Sequence, residues 1–318
     1  SEGTGSEGTG SEGTGSEGTG SEGTGSEGGT PDETDVSEEG LIMNEEGSTA
    51  LDTGDTPMLP SDPDCPPVET FIDVSRGSAG NGYPAPELAV FCEADTLVVR
   101  GNGIPNFQYV NVTPNGLSSQ DIEYRIPLSP TPSSDKDAVP LGGAVAVTVN
   151  GLPIFGPTEA PDFGYQDPLL DGLLDFCNGH TAPGGVYHFH APPECLFENI
   201  EGQTALVLGY SFDGYPILAP WICEDASCAR TRELKSSWQP LPEHFDDRGE
   251  PIYGDAATSW EIFEYVEASG DLDRCNGRTL SDGRYVYHAT RTFPYFLGCY
   301  HGTPTRNGRG GGMGGARP

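Results

Sequence analysis

Two stretches of this chain repeat each other in register. Asp175-Phe-Cys-Asn-Gly-His180 leads into Gly185-Val-Tyr-His-Phe-His-Ala191, and Asp273-Arg-Cys-Asn-Gly-Arg278 leads into Arg284-Tyr-Val-Tyr-His-Ala289. Thirteen residues separate cysteine from last histidine in both, so His190 matches His288, Tyr187 matches Tyr285 and Phe189 matches Tyr287. A second pair of matching segments lies upstream of each: Val149-Asn-Gly-Leu-Pro-Ile-Phe-Gly-Pro157 and Phe212-Asp-Gly-Tyr-Pro-Ile-Leu-Ala-Pro220. Each follows an apolar run, Ala144–Val149 or Ala205–Tyr210, and an Asx-Gly step after such a run is a strong hairpin signal. A fold that accepts this sequence must therefore build one unit twice. The unit is strand, Asx-Gly turn, short Pro-bounded strand, loop, Cys-Asn-Gly turn and aromatic/histidine strand.

The halves differ in the loop. The interval from Pro220 to Cys275 exceeds that from Pro157 to Cys177 by roughly 35 residues, an insertion in the second copy. Within it Thr258–Ala268 reads as a short helix from the spacing of Trp260, Phe263 and Tyr265/Val266, with an extended segment nearly as good a fit. Elsewhere between 65 and 305 the pattern is short strands punctuated by Pro and Gly. The expectation is one all-β domain over 65–305: a duplicated, disulfide-stapled sandwich or irregular barrel with long loops. Divided at the repeat, neither half would bury much core.

The eight cysteines all fall inside that region, at 65, 92, 177, 195, 223, 228, 275 and 299. An even count in a chain with 46 Gly and 29 Pro fits four disulfides formed in an oxidising compartment. Duplication selects Cys177–Cys195 and Cys275–Cys299, one per copy. Proximity adds Cys223–Cys228 and Cys65–Cys92. A zinc site of reduced thiols is disfavoured, because Cys223-x4-Cys228 has no second close pair to complete it.

Outside the domain the composition changes. Residues 1–25 are five copies of Ser-Glu-Gly-Thr-Gly, and residues 1–64 hold 17 acids with no Lys or Arg. With nothing apolar to bury in the repeats, a like charge in each of them and only scattered Leu, Ile and Met in the acidic stretch that follows, 1–64 reads as a disordered acidic spacer, and 306–318 as a flexible Gly/Arg tail. The whole chain carries a formal −34, half of it in that spacer, which argues against nucleic-acid and anionic-membrane partners. No apolar run approaches the ~20 residues of a membrane span. Ser1 in place of an initiator Met reads as a processed start, with a signal peptide or lipoprotein signal before it. The expected location is extracellular or at the cell surface, with a possible lipid anchor ahead of Ser1.

Histidines carry the chemical signal. In Tyr187-His-Phe-His190 strand alternation puts the aromatics on one face and His188 and His190 on the other, about 6.7 Å apart at Cα, so that both imidazoles can reach one ion. His288 is the register-matched third, joining them if the halves pack about a pseudo-two-fold axis, and His180 is the fourth, its counterpart being Arg278. An imidazole set of this kind suits divalent transition metals, copper first and zinc second. Two readings from other classes stand beside it: a structural or adhesive extracellular module whose histidines hydrogen-bond in the core, and a hydrolase using Asp213. For the latter, Asp175, Asp213, Asp271 and Asp273 more naturally cap their own turns. Gly-x-Ser-x-Gly, Walker and dinucleotide signatures are missing, so an enzyme is the less favoured class. Asn111-Val-Thr is a glycosylation sequon in a eukaryotic source alone.

These residues also resemble the YHYH domain family of secreted, largely bacterial proteins. The matching stretches are Cys177-Asn-Gly-His180 with Pro183-Gly-Gly-Val-Tyr-His-Phe-His190, Phe212-Asp-Gly-Tyr-Pro-Ile217, Glu233-Leu-Lys-Ser-Ser-Trp238, Gly270-Asp-Leu-Asp-Arg-Cys-Asn-Gly-Arg278 and Phe293-Pro-Tyr-Phe-Leu-Gly-Cys299. They span about 120–302. The motif reads Tyr-His-Phe-His here, a change on the aromatic face that leaves both histidines in place. The resemblance implies an exported domain and no particular activity.

Overall fold

A computed structural model describes residues 56–197 and 199–306. Most of the acidic spacer and of the Gly/Arg tail therefore lie outside the described residues. Fifteen short strands run in order through this region: β1 (Leu88–Glu93), β2 (Thr96–Gly101), β3 (Ile122–Pro127), β4 (Ala144–Thr148), β5 (Pro153–Phe155), β6 (Gly179–Thr181), β7 (Tyr187–Phe189), β8 (Val207–Ser211), β9 (Pro216–Leu218), β10 (Trp221–Cys223), β11 (Thr231–Glu233), β12 (Trp238–Pro240), β13 (Phe263–Tyr265), β14 (Gly277–Thr279) and β15 (Tyr285–His288). Single 3-10 turns punctuate them, and no α-helix occurs among the described residues. The class is all-β, as expected.

Eight strands form one mixed sheet in the order β14-β15-β9-β8-β4-β5-β7-β6. The sheet stays open, with the three-residue strands β6 and β14 at its edges, so the barrel alternative is ruled out. Short edge strands limit the unpaired backbone on offer to another chain. A three-stranded antiparallel sheet, β1-β2-β3, shares its core: Tyr124 of β3 packs on Phe212 at 5.0 Å, and Leu97, Val99 and Ile126 join Val147 and Tyr210 in one buried cluster. β3 alternates buried and exposed positions, as a half-buried strand must, whereas Val145-Ala-Val-Thr148 in the centre of the large sheet is buried throughout.

The order of the large sheet explains the repeat. Each half contributes an Asx-Gly hairpin (β4–β5, β8–β9), a parallel neighbour (β7, β15) and an antiparallel edge (β6, β14). The halves meet at the antiparallel pair β4–β8, where Val147 faces Tyr210, its own counterpart in the repeat. A pseudo-two-fold axis therefore passes through that pair. Ala146 faces Ser211 and Thr148 faces Gly209, as such an axis requires.

Local chemistry fixes the Cys-Asn-Gly turns. Asn178 and Asn276 have φ of 62° and 65°, a left-handed conformation that asparagine tolerates better than most residues. The carboxylate of Asp175 accepts from the amides of Cys177 and Gly179, and that of Asp273 from those of Cys275 and Gly277. Tyr187 then donates to Asp175 at 2.9 Å across the glycine, and Tyr285 to Asp273 at 3.1 Å. A Cβ at Gly179 would sit 2.5 Å from the Tyr187 hydroxyl, so the clasp requires that glycine.

The four bridges are Cys65–Cys92, Cys177–Cys195, Cys223–Cys228 and Cys275–Cys299, and no cysteine is free. Two local expectations are revised. In Thr258–Ala268 only Ser259–Ile262 forms a 3-10 turn; Phe263–Tyr265 is extended because β13 pairs with β12 and Phe263 stacks on Phe293 at 4.1 Å. Pro57–Leu59, assigned to the spacer by composition, hydrogen-bonds to Phe71 and Asp73, so folded structure begins ahead of Cys65.

Candidate metal centre

The hairpin β6–β7 places His180 directly opposite His188. His190 follows two residues on, held in line by its amide, which donates to the Asn178 carbonyl at 3.1 Å. All three side chains thus project from one face, as strand alternation dictates, while Tyr187 and Phe189 pack against Phe107 on the other. The imidazoles are 1–3 % exposed.

Each ring is anchored through Nδ1. His180 contacts the Leu173 carbonyl at 3.0 Å, His188 that of Val186 at 3.1 Å and His190 that of Gly156 at 2.7 Å. A carbonyl oxygen can only accept, so each Nδ1 carries a ring proton, and in the neutral ring each Nε2 presents a lone pair. Those three lone pairs converge: Nε2 of His188 and His190 are 2.8 Å apart, and Nε2 of His180 and His190 are 3.2 Å apart. One ligand atom from each of the three residues falls within 4.8 Å of the others. Phe155 stacks on His188 at 3.9 Å and closes one side.

A fourth acceptor joins them. Glu159 lies in the loop after β5, its Oε1 accepting from the Ala160 amide and its Oε2 reaching 3.1 Å from His180 Nε2. That Oε2 is buried, with the His180 ring as its polar neighbour. Burial works to raise the carboxyl, and His180 and His190 beside it hold it below the usual carboxylate range, so it is ionised. Burial drives His188 and His190 the other way. His190 is pushed down to about 3 and His188 well below its ordinary value, by burial first and by the neighbouring rings second. Neutral His188 and His190 beside an anionic carboxylate are protonation states that suit a divalent cation.

Of the four histidines expected from sequence, the structure brings together His180, His188 and His190. His288 is not among them. The pseudo-two-fold axis runs perpendicular to the sheet through β4–β8 and sets the halves side by side, so β7 and β15 are five strand-to-strand steps apart, roughly 24 Å. His288 donates through Nδ1 to the Ala219 carbonyl at 2.8 Å, and its Nε2 accepts from Arg278 Nε at 3.2 Å. His244 and His301 also lie elsewhere, on Ile252 and against Tyr285. Glu159 escapes a reading based on the repeat, because the second half keeps no acid at the matching place and nothing in Pro157-Thr-Glu159 marks it.

The carboxylates proposed for hydrolysis are otherwise engaged. Asp213 is 1 % exposed, with Oδ2 accepting from Tyr287 at 2.6 Å and from the Gly302 amide at 2.8 Å. Asp175 and Asp273 cap their turns, and Asp271 takes a two-pronged ion pair from Arg232. Cavities of about 600 and 650 Å³ open elsewhere, beside Tyr215 and Tyr285 and beside Trp238 and Phe293; no imidazole of the cluster lines either.

Comparison with known proteins adds a family. A sequence model described as YHYH protein matches residues 123–302, which contain both halves of the large sheet and every histidine discussed above. No curated protein and no solved structure matches the chain.

Proposed function

The chain belongs to the YHYH family, and for this member we propose that the domain holds one divalent transition metal ion through Nε2 of His180, His188 and His190, with Glu159 as the anionic fourth group. The observation that carries the reading is the set of tautomers. Nε2 of three buried rings and one buried carboxylate oxygen face a common point, and Nδ1 of every ring is already spent on a carbonyl. Uncompensated, that arrangement costs several kcal/mol of desolvation and repulsion, and a cation removes the cost. Nitrogen donors favour copper first and zinc second, copper by its intrinsic affinity and zinc by its tolerance of a four-coordinate site. A centre this enclosed suits holding an ion rather than turning over a substrate.

Four disulfides fit an oxidising compartment, and no helix among the described residues is long and apolar enough to cross a membrane. The proposal extends to an exported or surface-tethered protein in which 1–64, apart from the Pro57–Leu59 segment bonded to the domain, acts as a spacer, the domain spans 65–305 and 306–318 is a tail. A second reading has one observation in its favour. Glu159 beside His180 would also balance a proton, leaving the cluster a hydrogen-bonded element of a structural or adhesive module.

Elemental analysis of untagged protein after loading with copper or zinc and exhaustive dialysis separates the two. Metal retention at one ion per chain, abolished by His190→Ala, is expected. Retention of none, or retention unchanged by the substitution, favours the structural module.

A further inference from the structure

The second half repeats the cradle of the first almost atom for atom. His190 donates Nδ1–H to Gly156 and His288 donates Nδ1–H to Ala219, residues at matching places after β5 and β9. The His190 amide bonds to Asn178 and the His288 amide to Asn276, the asparagines of the two Cys-Asn-Gly turns. Opposite them, His180 pairs with His188 across β6–β7, and Arg278 pairs with Val286 across β14–β15. Among the ring-bearing positions two residues differ: Arg278 stands for His180, and Val286 for His188.

Those two changes alter what faces the shared imidazole. In the first half Nε2 of His190 meets Nε2 of His180 at 3.2 Å, acceptor against acceptor. In the second half Nε2 of His288 meets Nε of Arg278 at the same 3.2 Å, acceptor against donor. His288 is 0 % exposed, so its lone pair needs either a donor or a Lewis acid. A guanidinium supplies the donor permanently, since it does not lose its proton in a protein. Asp271, the acid that acts on Arg278 through space, is taken up by both prongs of Arg232, at 2.7 and 2.9 Å, and by the Lys235 amide. Arg278 Nε is directed at the imidazole instead.

We propose that Arg278 is the built-in cation of a second histidine cradle, occupying the place that a metal ion takes in the first. The fold thus contains two related sites, one for an exchangeable ion and one filled by the chain itself, and a chain binds one ion rather than two. This rests on the metal reading of the first half. It also specifies what reopens the second site: Arg278→His with Val286→His restores the missing imidazoles around His288.

Copper or zinc content per chain is measured for wild type, for the Arg278→His/Val286→His double variant, and for that variant with His288→Ala added. The double variant is expected to hold one ion more than wild type, and the added His288→Ala to abolish the gain. One ion in wild type and one in the double variant overturns the inference and leaves the first centre standing. None in wild type and one in the double variant supports the second cradle while refuting the first. None in either refutes both. Should the double variant fail to fold, nitrogen-15 NMR of the wild-type histidine rings decides. His288 is expected to be neutral with its proton on Nδ1 and with a hydrogen-bond coupling from Arg278 Nε to its Nε2. A proton on Nε2 of His288 overturns the proposal.

Discussion

Nε2 of His188 and Nε2 of His190 face each other at 2.8 Å, and neither ring has a proton to offer the other. Two nitrogens bound to one tetrahedral ion at about 2.05 Å stand about 3.3 Å apart. The pair is thus already within coordinating distance, with its orientation set by the carbonyls of Val186 and Gly156 rather than by the ion. Main-chain anchors of this kind fix tautomer and ring plane together, so little side-chain entropy is lost when metal enters.

Binding should therefore register as stability. Free zinc or copper at one hundred times its Kd is expected to stabilise the native state by about 2.7 kcal/mol. The shift appears as a raised urea midpoint at unchanged slope. His190→Ala should abolish it, since Nε2 of His190 lies within 3.2 Å of Nε2 of both other rings. An equal shift in that variant would mean that metal binds elsewhere.

Glu159→Gln tests the fourth group. The amide keeps the shape and can still accept from Ala160, but it removes the charge that balances the ion. A loss of about 10–100-fold in metal affinity is expected, read by competition with a chromophoric chelator. Folding should suffer little, because the Ala160 amide keeps its acceptor. Unchanged affinity would place Glu159 outside the centre.

The repeat made much of this legible before any coordinates. Strand alternation is geometric, so the common face of His188 and His190 followed from Tyr187-His-Phe-His190 directly, and register alone paired Cys177 with Cys195 and Cys275 with Cys299. The position of the axis was not legible. The same repeat accommodates halves stacked face to face, which would bring His288 to His190, or halves joined edge to edge, which separates them. That choice is settled by β4 pairing with β8 at Val147 and Tyr210, a long-range contact with no local signature. Glu159 was hidden for a related reason: its place is set by how the loop after β5 folds back, and that loop has no duplicate.

Acid and alkali should destabilise the fold through different residues. His190 has its folded pKa depressed to about 3 by burial, so the unfolded chain binds the extra proton, and stability falls as pH drops from about 6.5 towards 3. Metal release on acidification should accordingly coincide with unfolding rather than with a titration near pH 6.5, a coincidence visible when metal content and circular dichroism are followed together. Asp167 slopes the other way. It is wholly buried, accepting from Tyr295 at 2.6 Å and from the Leu169 and Leu170 amides, and burial pushes its carboxyl up to about 7. Here the folded state binds the extra proton, so stability falls as pH rises from about 4 to 7, by at most about 1.4 kcal/mol per unit. Asp167→Asn should remove that slope and leave the variant more stable than wild type at pH 8. A wild-type-like slope in urea midpoint against pH would exclude Asp167 as its source.

The two bridges of the repeat offer the sharpest separation of stability from binding. Cys177–Cys195 closes a loop that contains His180, His188 and His190; Cys275–Cys299, at a sequence separation of 24 against 18, closes the matching loop around Arg278 and His288. Loop-closure entropy makes each worth about 3 kcal/mol, so Cys177→Ala/Cys195→Ala and Cys275→Ala/Cys299→Ala should lower the urea midpoint by similar amounts. Their effects on metal should differ. Opening the first loop loosens Asn178, whose carbonyl positions His190 and whose side-chain amide donates to Pro192 at 2.8 Å, so the three rings lose their common orientation. Opening the second loosens a cradle already filled by a guanidinium. Metal affinity measured well below the unfolding midpoint should drop for the first pair of substitutions and hold for the second. Equal losses in the two would show that affinity follows global stability, and that the first-half loop has no special part in binding.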